Sequence, residues 1–199
     1  MINDYDPCVA NNIVDGAQMT VCWHVDDLKI SHRDEEMISA FAIELAEGFG
    51  PKTTISRGKV HDCLGIDMDF DSKLGTLIVS QIKYIQKMLE ELPEVLTSSK
   101  TCPAGDHIFK IREEKDREIL CEEMAKQLHC TLAQLLFLFK RARSEVETLV
   151  SFLTTRVKEP DTDNWVKLRD GIMYLKGTLY MKRHLSANSL KDITWWVDG

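Results

Sequence analysis

Apolar and polar positions alternate with a period of two through much of the first hundred residues and recur at helical spacing through most of the rest. Residues 8 to 14 (Cys-Val-Ala-Asn-Asn-Ile-Val) read as a strand and Gln18 to His24 as its return. Asp15-Gly16 between them supplies the turn, because this dipeptide tolerates the positive φ that a two-residue hairpin needs. Alternation resumes at Leu28-Lys29-Ile30-Ser31, which predicts a three-stranded antiparallel meander with Val25, Asp26 and Asp27 at its second tip. A helix is expected from Asp34, whose carboxylate can accept from unpaired N–H groups, with Glu35 and Glu36 favourably placed in its first turn. Met37, Phe41, Ala42, Leu45 and Phe49 form its apolar stripe, and Gly48 to Pro51 end it.

Thr53 to Ser56, residues 63 to 70 and Thr76 to Val79 are expected strands. In the second, Leu64, Ile66, Met68 and Phe70 face one way and Asp67, Asp69 and Asp71 the other. Ser80 to Leu92 reads as a helix with Ile82, Ile85, Met88, Leu89 and Leu92 on one stripe. Pro93 and the polar run from Thr97 to Gly105 mark a boundary. Beyond it, helices are expected over 113 to 142, broken near His129 to Thr131, over 144 to 158, and over 162 to 176. Ser144 and Glu147 have capping-box spacing, and Pro160-Asp161 separates the last two helices. The run Leu132 to Phe139 is expected at the buried centre of this half, and residues 192 to 197 as a final strand with Trp195 and Trp196. The fold class is therefore α+β: an antiparallel sheet with helices on one face, followed by a mostly helical region.

With 199 residues, 44% of them hydrophobic, the chain can bury a core of ordinary size as one large or two small domains. No stretch approaches the roughly 20 apolar residues of a membrane span, and Met1-Ile2-Asn3-Asp4-Tyr5-Asp6 is unlike a secretory signal. The expectation is a soluble intracellular protein without a membrane partner, cytoplasmic, with the nucleus as the alternative. Six cysteines without a C-x-x-C pair point to reduced core thiols. The net charge of −7 is unevenly spread: acid gathers at 34 to 36, 90 to 94 and 113 to 123, base at Lys140-Arg141-Ala142-Arg143 and Lys182-Arg183-His184. Such basic runs can hold nucleic-acid phosphates or form exposed helix ends, and both readings stay open.

The chemistry concentrates in Asp26-Asp27. Inside a strand two neighbouring carboxylates would repel, whereas at a hairpin tip both can face solvent or a hard cation. Two Mg²⁺ ions about 3.5 to 4 Å apart can activate a 3′-hydroxyl and stabilise departing pyrophosphate. An aspartate pair is also ordinary turn chemistry. Asp67-Met68-Asp69 has the D-x-D form of metal-dependent glycosyltransferases, but a half-solvated strand is the plainer account, because no nucleotide-cradling glycine loop precedes it.

Several motifs appear in one order. Tyr5-Asp6-Pro7-Cys8-Val9-Ala10 and Met19 to Lys29 around Asp26-Asp27 resemble the strand-turn-strand of Ty1/copia-type retrotransposon reverse transcriptases, with His24 where that family usually shows tyrosine. His61 to Phe70 resembles the Leu-Gly-Ile strand of the primer grip, and Thr131 to Leu138 with Lys140 to Arg143 the helix after the palm. Trp165 with Tyr174-Leu175-Lys176-Gly177-Thr178, and Trp195-Trp196-Val197-Asp198, resemble the family's later helix and the first strand of its ribonuclease H domain.

The resemblance implies a partial palm subdomain over residues 1–96, a thumb-like helical region over 97–159, and over 160–199 a helix and strand leading into a truncated ribonuclease H domain. The implied reaction is RNA-directed DNA polymerisation with Mg²⁺ or Mn²⁺ on Asp26 and Asp27, Asp26 being the direct ligand. His24, Leu64, Gly65, Ile66, Lys140, Arg141 and Arg143 would meet an RNA template and DNA primer, and Asp198 matches the first metal-binding aspartate of ribonuclease H. Deoxynucleoside triphosphates and the missing polyprotein segments are the other implied partners. The family's further metal-binding aspartate lies well upstream, and Asp4, Asp6 and Asp15 do not match it, so the chain is expected to be inactive alone. Two rivals are a non-catalytic retroelement remnant that binds nucleic acid or serves a structural role, and a D-x-D glycosyltransferase.

Overall fold

The computed structural model describes residues 1–50, 53–71 and 73–186. The chain is mixed α/β, with antiparallel sheets and helices α1 to α5, as an α+β class requires. It divides into two compact units, Met1–Leu64 and Gly65–Gly199.

In the first unit, β1 (Val9–Val14), β2 (Ala17–His24) and β3 (Asp27–Ser31) form the expected meander in the order β1-β2-β3. Asp15 (φ 47°) and Gly16 (φ 71°) both take positive φ in the first turn, the I′ arrangement whose twist matches the flanking strands. Asn11, Gln18 and Thr20 share one face through side-chain hydrogen bonds of 2.8 to 3.0 Å. His32 fixes the exit from the sheet: its Nδ1 accepts from the Asp34 N–H at 3.1 Å, which leaves Nε2 to donate to the Val14 carbonyl at 3.1 Å. Helix α1 (Glu35–Phe49) starts where expected, with Asp34 Oδ1 accepting from the Glu36 N–H at 2.9 Å. Gly50 caps its end, with its N–H on the Ala46 carbonyl at 2.9 Å.

The expected strand at Thr53–Ser56 is irregular. Both the N–H and the hydroxyl of Thr53 turn back to the Gly50 carbonyl, at 3.3 and 3.1 Å, instead of joining a ladder. The expected strand over 63 to 70 is also interrupted, because β4 (Val60–Cys63) ends at a turn where Leu64 (φ 55°) and Gly65 (φ 70°) both have positive φ. Gly65 takes that conformation without a Cβ penalty, and it overrides the alternation that Leu64 and Ile66 suggested.

In the second unit, β5 (Ile66–Asp71), β6 (Thr76–Ser80) and β7 (Arg183–Ser186) pair antiparallel with β6 in the middle. Helices α2 (Ile82–Glu90), α3 (Glu122–Phe139), α4 (Glu147–Thr154) and α5 (Thr162–Gly177) supply the core. Leu128, Leu132, Leu135 and Leu138 line one face of α3 and meet Leu149, Leu153, Leu168, Ile172 and Leu175, with Ile85 and Met88 from α2 in the same cluster. Each such leucine cut to alanine costs about 2 to 5 kcal/mol. Gly171 allows the close approach of α4 and α5: a Cβ there would stand 2.0 Å from Leu149 Cδ2 and 3.3 Å from the Pro103 carbonyl oxygen.

Three helix expectations change. Helix α3 runs without a break through His129 to Thr131, since Leu128, Thr131 and Leu132 are all buried and packing holds the helix across a weak stretch. It starts at Glu122, and only a 3-10 turn, Glu114–Asp116, forms in the acidic stretch before it. Ser144 opens a 3-10 turn and makes no side-chain cap, whereas Asp161 and Asn164 form a reciprocal capping box at α5, at 2.9 and 3.1 Å. Expected core thiols are instead exposed: Cys8, Cys22, Cys102, Cys121 and Cys130 face solvent and Cys63 is half-buried. The expected strand at 192 to 197, Trp195, Trp196 and Asp198 lie outside the described residues.

Candidate functional site

The second turn of the meander carries the aspartate pair. His24 and Asp27 are the closing pair of β2 and β3, so the turn itself is Val25-Asp26, and Asp27 already belongs to β3. Cross-strand partners share a face, so His24 and Asp27 stand together, with Cys22 and Lys29 next along the same face. His24, Val25, Asp26 and Asp27 are all exposed. Val25 is held at φ 56°, a left-handed conformation that costs a β-branched residue about 1 to 2 kcal/mol. A two-residue hairpin with positive φ at its first position ordinarily takes glycine there.

As hard oxygen donors on a solvent-facing tip, Asp26 and Asp27 suit a divalent cation in kind. Among the described residues no group of three His, Cys, Asp or Glu side chains comes together as a metal-holding set. In number, therefore, the pair falls short of the three-carboxylate set implied by the resemblance.

The other sequence candidates separate. Leu64, Gly65 and Ile66 occupy the positive-φ turn and the first position of β5. Asp67 and Asp69 share a face of β5, but Asp67 Oδ1 is paired with Lys83 Nζ at 3.2 Å, which takes one carboxylate out of a D-x-D metal site. Lys140 is exposed at the end of α3. Arg141 donates to the Phe137 carbonyl at 3.2 Å, and its guanidinium lies 3.8 Å from the Phe137 ring centroid.

Arg143 is a correction. It is 1% exposed; Nε donates to Glu145 Oε1 at 2.6 Å, Nη1 to the Thr178 carbonyl at 3.1 Å and Nη2 to Thr178 Oγ1 at 2.5 Å. A guanidinium committed to three internal acceptors has nothing to offer a phosphate. The Tyr174 to Thr178 motif owes its residue types to the same packing. Tyr174 lies 5.7 Å from Arg143, Lys176 Nζ donates to the Leu96 carbonyl, and a Cβ on Gly177 would come within 2.8 Å of Ser99 Cβ. Trp165 Nε1 donates to Glu94 Oε1 at 3.2 Å.

Sequence reasoning missed the tertiary meeting of the two basic stretches. Strand β7 brings Arg183 Nη1 to the Arg141 carbonyl at 3.1 Å, a contact across 42 residues that no local signal announces. Beside it, Tyr84 stacks 5.1 Å from Phe137 and donates to the Gln134 carbonyl at 3.4 Å. Burial raises its phenol pKa above the ordinary 10.0, Glu91 adds to the rise, and Arg141 opposes it. No described helix is long and apolar enough to cross a membrane. Comparison with protein-family models, with curated proteins and with solved structures gives no match to this chain.

Proposed function

We propose that this chain is the later part of a Ty1/copia-type reverse transcriptase, with residues 1–96 as a partial palm, 97–159 as a thumb-like helical region and 160–199 leading into ribonuclease H. The observation that carries the reading is the ordered series of motifs, headed by an aspartate pair at an exposed hairpin tip, Asp26 in the two-residue turn and Asp27 opening β3. Asp26 and Asp27 would hold Mg²⁺ or Mn²⁺ together with a carboxylate from an upstream palm segment. When bound, such ions supply activation of a primer 3′-hydroxyl and stabilisation of the leaving pyrophosphate. The chain's own residues orient: backbone pairing of His24 with Asp27 holds the second carboxylate, the Val25 turn projects the first, and Lys29 places a cation along the same face.

On this reading the chain polymerises nothing alone. Primer extension with Mg²⁺ should be absent for the isolated chain and appear when the palm-and-fingers segment of a Ty1/copia-type element is added. Asp26→Asn in the reconstituted mixture should lower the rate by about a hundredfold or more, a loss of about 3 kcal/mol of transition-state stabilisation. No extension with a complete partner segment would sink the proposal.

A further inference from the structure

The closing pair of the second hairpin joins two kinds of donor. His24 and Asp27 are cross-strand partners on the last rung of β2 and β3, which puts their side chains on one face with Cβ atoms about 4.5 to 5.5 Å apart. Both are exposed, and among the described residues neither side chain has a hydrogen bond or ion pair. His32 and Asp67 show the contrast: both ring nitrogens of His32 are used, on Val14 and Asp34, and Asp67 is paired with Lys83. Lys29, across from Cys22 on the same face, is half-buried and already engaged within the structure.

An imidazole nitrogen and a carboxylate oxygen on facing positions can close on one ion, at about 2.0 to 2.2 Å each for zinc. Donor chemistry then selects the ion. Mg²⁺ takes oxygen ligands and keeps its water, so the ring nitrogen adds nothing for it, whereas imidazole suits Zn²⁺ and its neighbours in the first transition row. We propose that His24 and Asp27 form a two-donor chelate for Zn²⁺, with water completing the coordination. Two protein donors hold the ion more weakly than a closed four-ligand zinc site does, in keeping with the absence of any three-residue metal-holding group among the described residues. The binding does not depend on the polymerase reading. One consequence does rest on that reading: Zn²⁺ would draw Asp27 away from the Mg²⁺ pair, so the two ions would compete for the hairpin tip.

The test is a titration of Zn²⁺ into the full chain at neutral pH, followed residue by residue through its amide NMR signals. It is run with Cys22→Ser as well as the wild type, because the thiol two residues along the same face is a competing zinc donor. The amides of His24, Val25, Asp26 and Asp27 should shift together and saturate in both proteins. His24→Phe and Asp27→Asn, both at exposed positions, should each weaken that binding about tenfold or more, at least the loss that follows removal of an outer-shell partner. Mg²⁺ titrated in the same way should be indifferent to His24→Phe. The proposal is overturned if the tip amides stay still while others move, if their response needs Cys22, if His24→Phe leaves Zn²⁺ binding unchanged, or if it weakens Mg²⁺ binding as much. No primer or nucleotide is present, so failure of the polymerase reading would leave each of these outcomes unchanged.

Discussion

The two units are made from the same kinds of element but are held in different ways. Among the described residues between Met1 and Leu64 only Met19 and Ala42 are buried apolar residues, whereas from Ile85 to Leu175 one continuous cluster joins α2, α3, α4 and α5. Since a fully buried large apolar side chain contributes about 1.5 to 3 kcal/mol, the first unit rests mainly on ladder hydrogen bonds, turn geometry and the Asp34 cap. The aspartate pair sits on that lightly buried sheet. Several charged groups of the second unit, Arg143, Asp161 and Lys167 among them, are instead enclosed as parts of its frame. An ionisable residue is thus a poor guide to function unless its burial is known.

The contrast can be broken most forcefully at Arg143. Arg143→Ala leaves Glu145 and Thr178 without their partner and should lower the unfolding free energy by about 3 to 5 kcal/mol. Native-state amide exchange should accelerate in α3 and α5 and stay unchanged in β1 to β3; equal acceleration everywhere would mean that the units open together. A smaller effect of opposite sign is expected at the hairpin tip. Val25→Gly relieves the strain at φ 56° at some cost in unfolded-chain entropy, and should slow exchange at the amides of the closing pair, His24 and Asp27, by about 0.5 to 1 kcal/mol. Faster exchange there would show that Val25 bears no strain.

The smallest effect concerns Tyr84, whose pKa is raised in the folded state by burial and by Glu91. A raised folded value favours the neutral phenol, so its contribution is complete below pH 10.0 and is lost as pH rises through the shifted value. Urea midpoints should fall more steeply above pH 10.0 for the wild type than for Tyr84→Phe; parallel curves would remove Tyr84 from the account.

Features written within a few neighbouring residues were legible in the sequence. Asp15-Gly16, the Asp34 cap, the stripe of α2 and that of α1 apart from Phe49, which is 76% exposed, follow from turn chemistry, capping and periodicity, which need no distant partner. The aspartate tip was legible on the same grounds, except that Asp27 pairs with His24 and leaves Val25 and Asp26 as the turn. Features decided by tertiary contact were not. Nothing near His129 to Thr131 says that packing of Leu128 and Leu132 will carry α3 across them. Nothing near Arg143 says that Thr178 waits 35 residues away to accept its protons. The missing capping box at Ser144 and the Leu64-Gly65 turn belong to an intermediate class, where two local signals compete and backbone geometry selects one.

The clasp between Arg143 and Thr178 has a consequence for inheritance. Because Tyr174, Lys176, Gly177 and Thr178 are each tied to Arg143, Leu96 or Ser99, a copy of this chain that drifts there loses its fold, whether or not its aspartates ever hold a metal. The hairpin tip, exposed and lightly buried, is free to drift as soon as its chemistry ceases to be selected. In diverging copies, the helix-end motif would therefore record descent of the scaffold, and Asp26-Asp27 would record whether the activity was still in use.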